Sequence, residues 1–274
     1  MKRLLLTFFA LFILLCIVSC DNGEVAGITP ASVVILKTGK SDCIVINTGS
    51  RILMIDTGEE ENLPTIFAYM NEKQYSKIDT LIITHYDKDH IGGAERIIST
   101  YGVKTVIESK RKDDTSAYIG YHNAIIDAGA TLMKLTEDYA FSHDSCDFEI
   151  FVPRKNKYTS KNDNNSSLMI SMKCGEKRLL FCGDAEGERV AEIVKENTFT
   201  YDFVKLPYHG NYIDGYEGFL DSIKPTYAGI TCSKKKPADE RTLGLLSRKG
   251  IAVYETRNGK ISIEINDTGL VITQ

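Results

Sequence analysis

The stretch Thr84-His85-Tyr86-Asp87-Lys88-Asp89-His90-Ile91-Gly92-Gly93 places four metal-ligating side chains within six residues. It follows a run of buried-strand character, Ile78 to Thr84, and precedes a helical pattern with Ala94, Ile97, Ile98 and Tyr101 at i, i+3, i+4 and i+7. Imidazoles and carboxylates at this density suit a divalent ion such as zinc or manganese. The two glycines let the backbone turn tightly beside such an ion. Three other segments end an apolar run in a ligand-type residue: Ile52 to Ile55 before Asp56-Thr57-Gly58, Leu179 to Cys182 before Gly183-Asp184, and Phe203 to Leu206 before Pro207-Tyr208-His209-Gly210. Each alone is a common strand-closing turn; the four in this order point to one shared site.

These residues resemble the metallo-β-lactamase superfamily and, within it, the hydrolase domain of ComEC-type competence proteins, over roughly residues 30 to 270. The family motif is close to His-x-Asp-x-Asp-His-x-Gly-Gly and is matched by His85, Asp87, Asp89, His90, Gly92 and Gly93. Asp56-Thr57-Gly58, Asn164-Asn165-Ser166-Ser167-Leu168, Gly183-Asp184 and His209-Gly210 match its other turns. The resemblance implies an α/β fold, the αββα sandwich of two mixed sheets with helices outside, and one or two divalent metal ions, zinc or manganese. It implies that Asp89, His90 and His209 hold one ion, that His85 and Asp87 hold the other, and that Asp184 bridges them. Asp89 and Asp184 are thereby expected to serve catalysis as well as ligation, with Asp56 supporting the site through hydrogen bonds. An ion so held would acidify water for attack on a substrate. Asn165 and Ser167 are candidates to orient substrate, or else form a plain turn leading into a strand; Tyr208 and Lys236 are further substrate-binding candidates.

The sequence departs from the zinc β-lactamases, which usually carry histidine where Asp87 stands and another before the Gly-Asp turn. Only His122 and His143 lie in that interval, one in a helical run and one beside a strand, and both read as structural. The oxygen-rich motif resembles the competence nuclease branch, which implies phosphodiester hydrolysis. Lactam, lactone or thioester hydrolysis is the alternative within the fold. A non-catalytic metal- or ligand-binding surface lipoprotein is the alternative outside it. A small phosphodiester or short oligonucleotide is the expected substrate; no protein partner is implied.

The elements that must position these groups follow from the same patterning. Strand-like runs at Ser32–Leu36, Cys43–Asn47 and Ile52–Ile55 are joined by hairpin breaks at 38–41 and 48–50. Strands and helices then alternate to a helix near Asp239–Lys249. The pair Asn258-Gly259, between strands Ala252–Thr256 and Lys260–Ile265, is a two-residue hairpin signal. Two packed sheets with outer helices accommodate this order.

The 274 residues carry 43% apolar residues, enough for one large domain, expected over 31–274, and a formal charge of −4. Lys2-Arg3, the apolar run Leu4–Val18 and Ser19-Cys20 resemble a bacterial lipoprotein leader, 1–19, with Cys20 as the lipidated first residue of a 20–30 tether. Export from the cytoplasm and anchorage to the cell membrane through that lipid are expected. The acidic total argues against a long polyanion. Lys110-Arg111-Lys112, the cluster Arg154, Lys155, Lys157 and Lys161, and Lys234-Lys235-Lys236 read as solvated loops, although Lys236 and the 154–161 loop are also candidates to meet phosphate. No further apolar stretch is long enough to cross a membrane, so the chain is not itself an import channel. Cys43, Cys146, Cys174, Cys182 and Cys232, an odd number without a CxxC pair, read as small core residues rather than a disulfide framework.

Overall fold

The computed structural model describes residues 29–159 and 163–274; the leader, Cys20 and Lys161 lie outside them. Antiparallel strands β1 (Ala31–Ile35), β2 (Ile44–Asn47) and β3 (Ile52–Ile55) open the chain. Helix α1 (Leu63–Glu72) leads to β4 (Thr80–Ile82), the one-turn helix α2 (Lys88–Ile91) and α3 (Ala94–Tyr101). Strand β5 (Thr105–Ser109), helix α4 (Ser116–Ala128) and β6 (Thr131–Leu135) complete the first half. The second half runs β7 (Tyr139–His143), β8 (Cys146–Phe151), β9 (Met169–Cys174), β10 (Lys177–Phe181), α5 (Gly187–Glu196), β11 (Phe203–Lys205), α6 (Tyr216–Ile223), β12 (Tyr227–Ile230), α7 (Glu240–Arg248) and β13 (Ala252–Glu255). Strands β14 (Ile261–Asn266) and β15 (Gly269–Thr273) then return to the first sheet. One sheet has the order β15-β14-β1-β2-β3-β4-β5-β6, the other β13-β12-β11-β10-β9-β8-β7.

The strands are apolar on both faces because both faces are covered. Val33, Ile46, Leu53 and Ile82 point inward to meet Phe148, Ile170, Leu179 and Phe203 between the sheets. Their neighbours Val34, Val45, Met54 and Leu81 point outward to Ile66 of α1, Ile97 of α3 and Tyr121 of α4. Leu180 and Val204 on the other sheet meet Val190 of α5, Phe219 of α6 and Leu246 of α7. Three apolar layers between four layers of backbone make the αββα sandwich that the sequence predicts.

Two readings are corrected. Asn258-Gly259 does not close a hairpin: β13 pairs in parallel with β12, whereas β14 pairs with β1 in the other sheet, so the turn carries the chain between sheets. β13 extends the parallel set β10 to β13, and β14 lies between β1 and β15. Cys146 and Cys174 form a disulfide across the β8–β9 pair, where the register sets them directly opposite. Separation by 28 residues along the chain left no local mark of that pairing. Cys43, Cys182 and Cys232 are free and buried, as core residues. Among the described residues no helix is long and apolar enough to cross a membrane.

Candidate metal centre

Strands β3 and β4 run parallel with Ile55 opposite Ile82, and β10 and β11 run parallel with Phe181 opposite Lys205. Parallel neighbours end on the same side, so the turns after all four strands meet at one edge of the sandwich. Those turns carry Asp56, His85 to His90, Asp184 and His209. Ligand atoms of Asp89, His90, Asp184 and His209 come within 4.8 Å of one another. His209 Nε2 lies 2.9 Å from Asp184 Oδ2 and 3.3 Å from Asp89 Oδ2, and His90 Nε2 lies 3.4 Å from Asp184 Oδ1. The His85 ring sits 4.0 Å from the His90 ring, centroid to centroid, with its Nε2 3.7 Å from Asp87 Oδ2. All six expected ligand positions thus gather, four in a tight group and two beside it.

Local backbone makes this convergence. Tyr208 and His209 both adopt positive φ, +50° and +52°, and Asp56 does so at +56°. Left-handed conformations cost non-glycine residues energy and persist where the surroundings dictate them. A Cβ on Gly93 would meet Thr57 O at 2.6 Å, so the motif loop could not approach the Asp56 turn with any larger residue. Thr57 N–H donates to His90 O at 2.8 Å across that contact.

Hydrogen bonding fixes which nitrogen of each histidine faces the cavity. Asp56 accepts from Thr84 N at 2.8 Å, from the Thr84 hydroxyl at 2.7 Å and from His90 Nδ1 at 2.7 Å. With its hydrogen given to Asp56, Thr84 Oγ1 is left to accept from His85 Nδ1 at 3.1 Å. The Thr231 hydroxyl donates to Asp42 Oδ1 at 2.6 Å and accepts from His209 Nδ1 at 2.9 Å. Each ring therefore carries its hydrogen on Nδ1 and turns an Nε2 lone pair inward. His85, His90 and His209 Nε2 and Asp184 Oδ1 are buried atoms for which no hydrogen-bond partner exists among the described residues. Lone pairs facing carboxylate oxygens at such distances require a cation, and this donor set fits a divalent ion.

With no ion between them, the buried carboxylates would instead draw a proton onto these rings. Burial opposes charge on His90, yet Asp184 and Asp56 raise its pKa well above the imidazole range. Burial likewise opposes, and Asp184 overcomes, on His209. Asp184 itself is held well below the carboxylate range, burial being outweighed by His209 and His90.

Two residues that the sequence reading assigned no role complete the shell. Asp42, fully buried, pairs with the fully buried Lys205, whose ammonium donates to Gly183 O at 3.1 Å and stands 3.9 Å from Asp184 Oδ1. Asp42, Asp56 and His90 also form a close acidic group, but the Lys205 ammonium and the hydrogens from Thr231, Thr84 and His90 already satisfy it. A lysine inside the apolar strand Phe203–Leu206 was a visible sign that an anion waited opposite.

Three expectations about substrate contact change. Asn165 is fully buried, its oxygen accepting from the N–H groups of Glu186 and Arg189 at the start of α5. Ser167, also fully buried, accepts from Asp184 N at 3.1 Å and holds the Gly183-Asp184 turn in place. Both are supports of the loops rather than cavity walls, because the 164–168 run tucks under α5. Lys236 sits in the exposed 233–236 turn and does not line the cavity. Tyr208 does, in a cavity of about 290 Å³ bounded also by Lys40, Asp87, Asp89, Asp163, Asn164 and Asp184. Lys40, 5.5 Å from the Tyr208 ring centre, is the one cation on that wall among the described residues. Arg154 of the second basic cluster is engaged by Asp138 and Glu196. His122 faces Glu108 at 3.2 Å, and His143 lies on the edge strand β7, both away from the cavity.

The profile of the family described as "Metallo-beta-lactamase superfamily" matches residues 36–224. The chain belongs to the metallo-β-lactamase superfamily. Membership places it among metal-dependent hydrolases. It is 28% identical to "ComE operon protein 3" of Bacillus subtilis (strain 168) over 216 residues, covering 74% of this chain and 26% of that protein. It is 24% identical to "Competence protein ComA" of Neisseria gonorrhoeae over 204 residues, 72% of this chain and 26% of that one. The chain thus spans about a quarter of the length of these curated relatives. Among solved structures, the metallo-β-lactamase fold protein YhfI from Bacillus subtilis superposes with a TM-score of 0.58 at 11% identity, covering 82% of this chain and 95% of that one.

Proposed function

We propose that this superfamily member is an exported, lipid-anchored phosphodiesterase that cleaves a small phosphodiester or short nucleic acid with one or two zinc or manganese ions. The observation that carries the hydrolase reading is the convergence of three inward Nε2 lone pairs with Asp89 and Asp184 at the floor of an open cavity. His90, His209, Asp89 and Asp184 would hold one ion; His85 and Asp87, with Asp184 between, would hold another. Ions bound there supply Lewis acidity and acidify water to a nucleophile at neutral pH. Asp56, Thr84, Thr231 and Asp42 hold the rings in one tautomer and one orientation, so no reorganisation is needed when the substrate arrives. Asp87, with 42% of its side chain exposed, is the ligand position most open to a substrate, and Asp89 follows at 22%. Lys40 stands at the rim where it meets a phosphoryl oxygen.

The phosphodiester is favoured by an oxygen-rich wall with four aspartates and one lysine, and by relatives named as competence proteins. Export is favoured by the Cys146–Cys174 disulfide, since such bonds persist in oxidising compartments. The test is hydrolysis of bis(p-nitrophenyl) phosphate and of single-stranded DNA by the full chain with zinc or manganese, beside Asp184→Ala. Metal-dependent cleavage that falls at least a hundredfold in the variant is expected. Folded protein inactive on both substrates with either metal would end the phosphodiesterase reading.

A further inference from the structure

A second cavity, about 280 Å³, is lined in part by Arg111 and Ser166, which adjoin Asp163 and Asn164 of the metal cavity. Its floor is apolar, made by Leu135 at the end of β6 and by Val152 and Pro153 after β8. Its rim is cationic, with Lys110, Arg111 and Lys155, and among the described residues no carboxylate lines it. The neighbouring metal cavity has the opposite balance. The partition between them is specific: Arg111 Nη1 donates to Ser166 Oγ at 3.2 Å and the same guanidinium pairs with Asp163, while Asp163 and Asn164 face the metal side. From the other direction Tyr86, between His85 and Asp87, donates its hydroxyl to the carbonyls of Ser109 and Arg111 at 3.0 and 3.2 Å. The metal loop and the cavity wall are therefore one hydrogen-bonded unit.

Of the three cations, Arg111 is engaged by Asp163 and Lys155 by Glu188 at 2.7 Å. Lys110 is exposed and makes no ion pair among the described residues, so an incoming anion displaces nothing from it. An apolar floor takes a flat ring and a cationic rim takes the charge attached to it. A lipid chain needs a longer apolar path than this volume gives, and a bare sugar leaves the floor without a partner.

We propose that this cavity binds the nucleoside next to the scissile phosphate, with its ring on Leu135, Val152 and Pro153 and its own phosphate at Lys110. The assignment rests on the phosphodiesterase reading of the adjacent centre. The test is equilibrium binding to the full chain in excess chelator, where the metal centre plays no part. The probes are thymidine 5′-monophosphate, thymidine and inorganic phosphate. The nucleotide is expected to bind more tightly than either of its pieces. Lys110→Glu is expected to weaken it at least fivefold, and Lys224→Glu, the same charge change at the exposed end of α6, less than twofold. Equal losses in the two variants would show attraction to net charge alone, and a nucleotide that binds no tighter than phosphate would leave the floor idle; either result overturns the proposal. So does diester cleavage by a protein that binds no nucleotide, which spares the hydrolase reading. Nucleotide binding sensitive to Lys110, in a protein that cleaves no diester, supports the cavity as a nucleotide site and ends the phosphodiesterase reading instead.

Discussion

Thr231 gives its hydroxyl hydrogen to Asp42 and receives one from His209, so a single oxygen links a buried carboxylate to a ring 22 residues away in the chain. Replacing Thr231 with valine keeps the shape and removes both bonds. His209 is then free to rotate or to take the other tautomer, and its Nε2 no longer points reliably at Asp184. Such supports commonly contribute about 10- to 100-fold in metal affinity. Thr231→Val is accordingly expected to lose zinc affinity in that range, measured by competition with a chromogenic chelator, with little change in far-ultraviolet circular dichroism. Unchanged affinity would show that packing alone orients the ring. The candidate ligands themselves were readable because they crowd into short motifs. Asp42 and Thr231 were not, since each is a lone polar residue whose meaning depends on a partner 189 positions away.

At the scale of elements, the site depends on β3 and β4 ending in register, and Asp79 sets that register. Its carboxylate accepts from Ile52 N at 3.1 Å, while its own N–H donates to Ile52 O at 2.7 Å. Burial disfavours its charge, but the Ile52 N–H, Lys104 and Arg51 outweigh this and hold the pKa at about 2. A carboxylate lowered on folding contributes stability that is full above its unfolded pKa of about 3.9 and is lost as pH falls through the folded value. Asp79→Asn is expected to cost about 1–2 kcal/mol at neutral pH, the partners being half exposed and screened. Urea denaturation should show that difference shrinking between about pH 4 and pH 2; a difference constant with pH would mean that the charge is not what matters. Most elements were legible from apolar periodicity, because interior strands such as Ile52–Ile55 are buried along their whole length. Strands β7 and β15 were not, because each forms the outer edge of its sheet and alternates between partly buried and exposed residues. The Asn258-Gly259 turn misled for a related reason: turn chemistry is local, whereas the choice of pairing partner belongs to the whole sheet.

The whole molecule adds a constraint that no single element carries, because its disulfide joins two strands of the second sheet across a long stretch of chain. Cys146 and Cys174 are fully buried on neighbouring strands and close a segment of 28 residues that includes the turns under the metal centre. Closing a loop of that length removes unfolded-state entropy equivalent to about 2–4 kcal/mol. Cys146→Ala is expected to lower unfolding stability by that amount, read from the urea midpoint, and added reductant should do the same to the parent protein while leaving the variant unmoved. Where the bond forms then reports where the protein folds. A chain exported behind residues 1–19 and held by a lipid on Cys20 would meet oxidising conditions before or during folding. Protein from bacterial membranes, denatured in the presence of an alkylating agent and examined by mass spectrometry, is expected to carry Cys146 and Cys174 joined to each other and Cys43, Cys182 and Cys232 as free thiols. Cys20→Ala should move it out of the membrane fraction without reducing the bond. If both cysteines are instead alkylated in the membrane-derived protein, the fold is completed under reducing conditions, and the export reading falls while the metal centre stands.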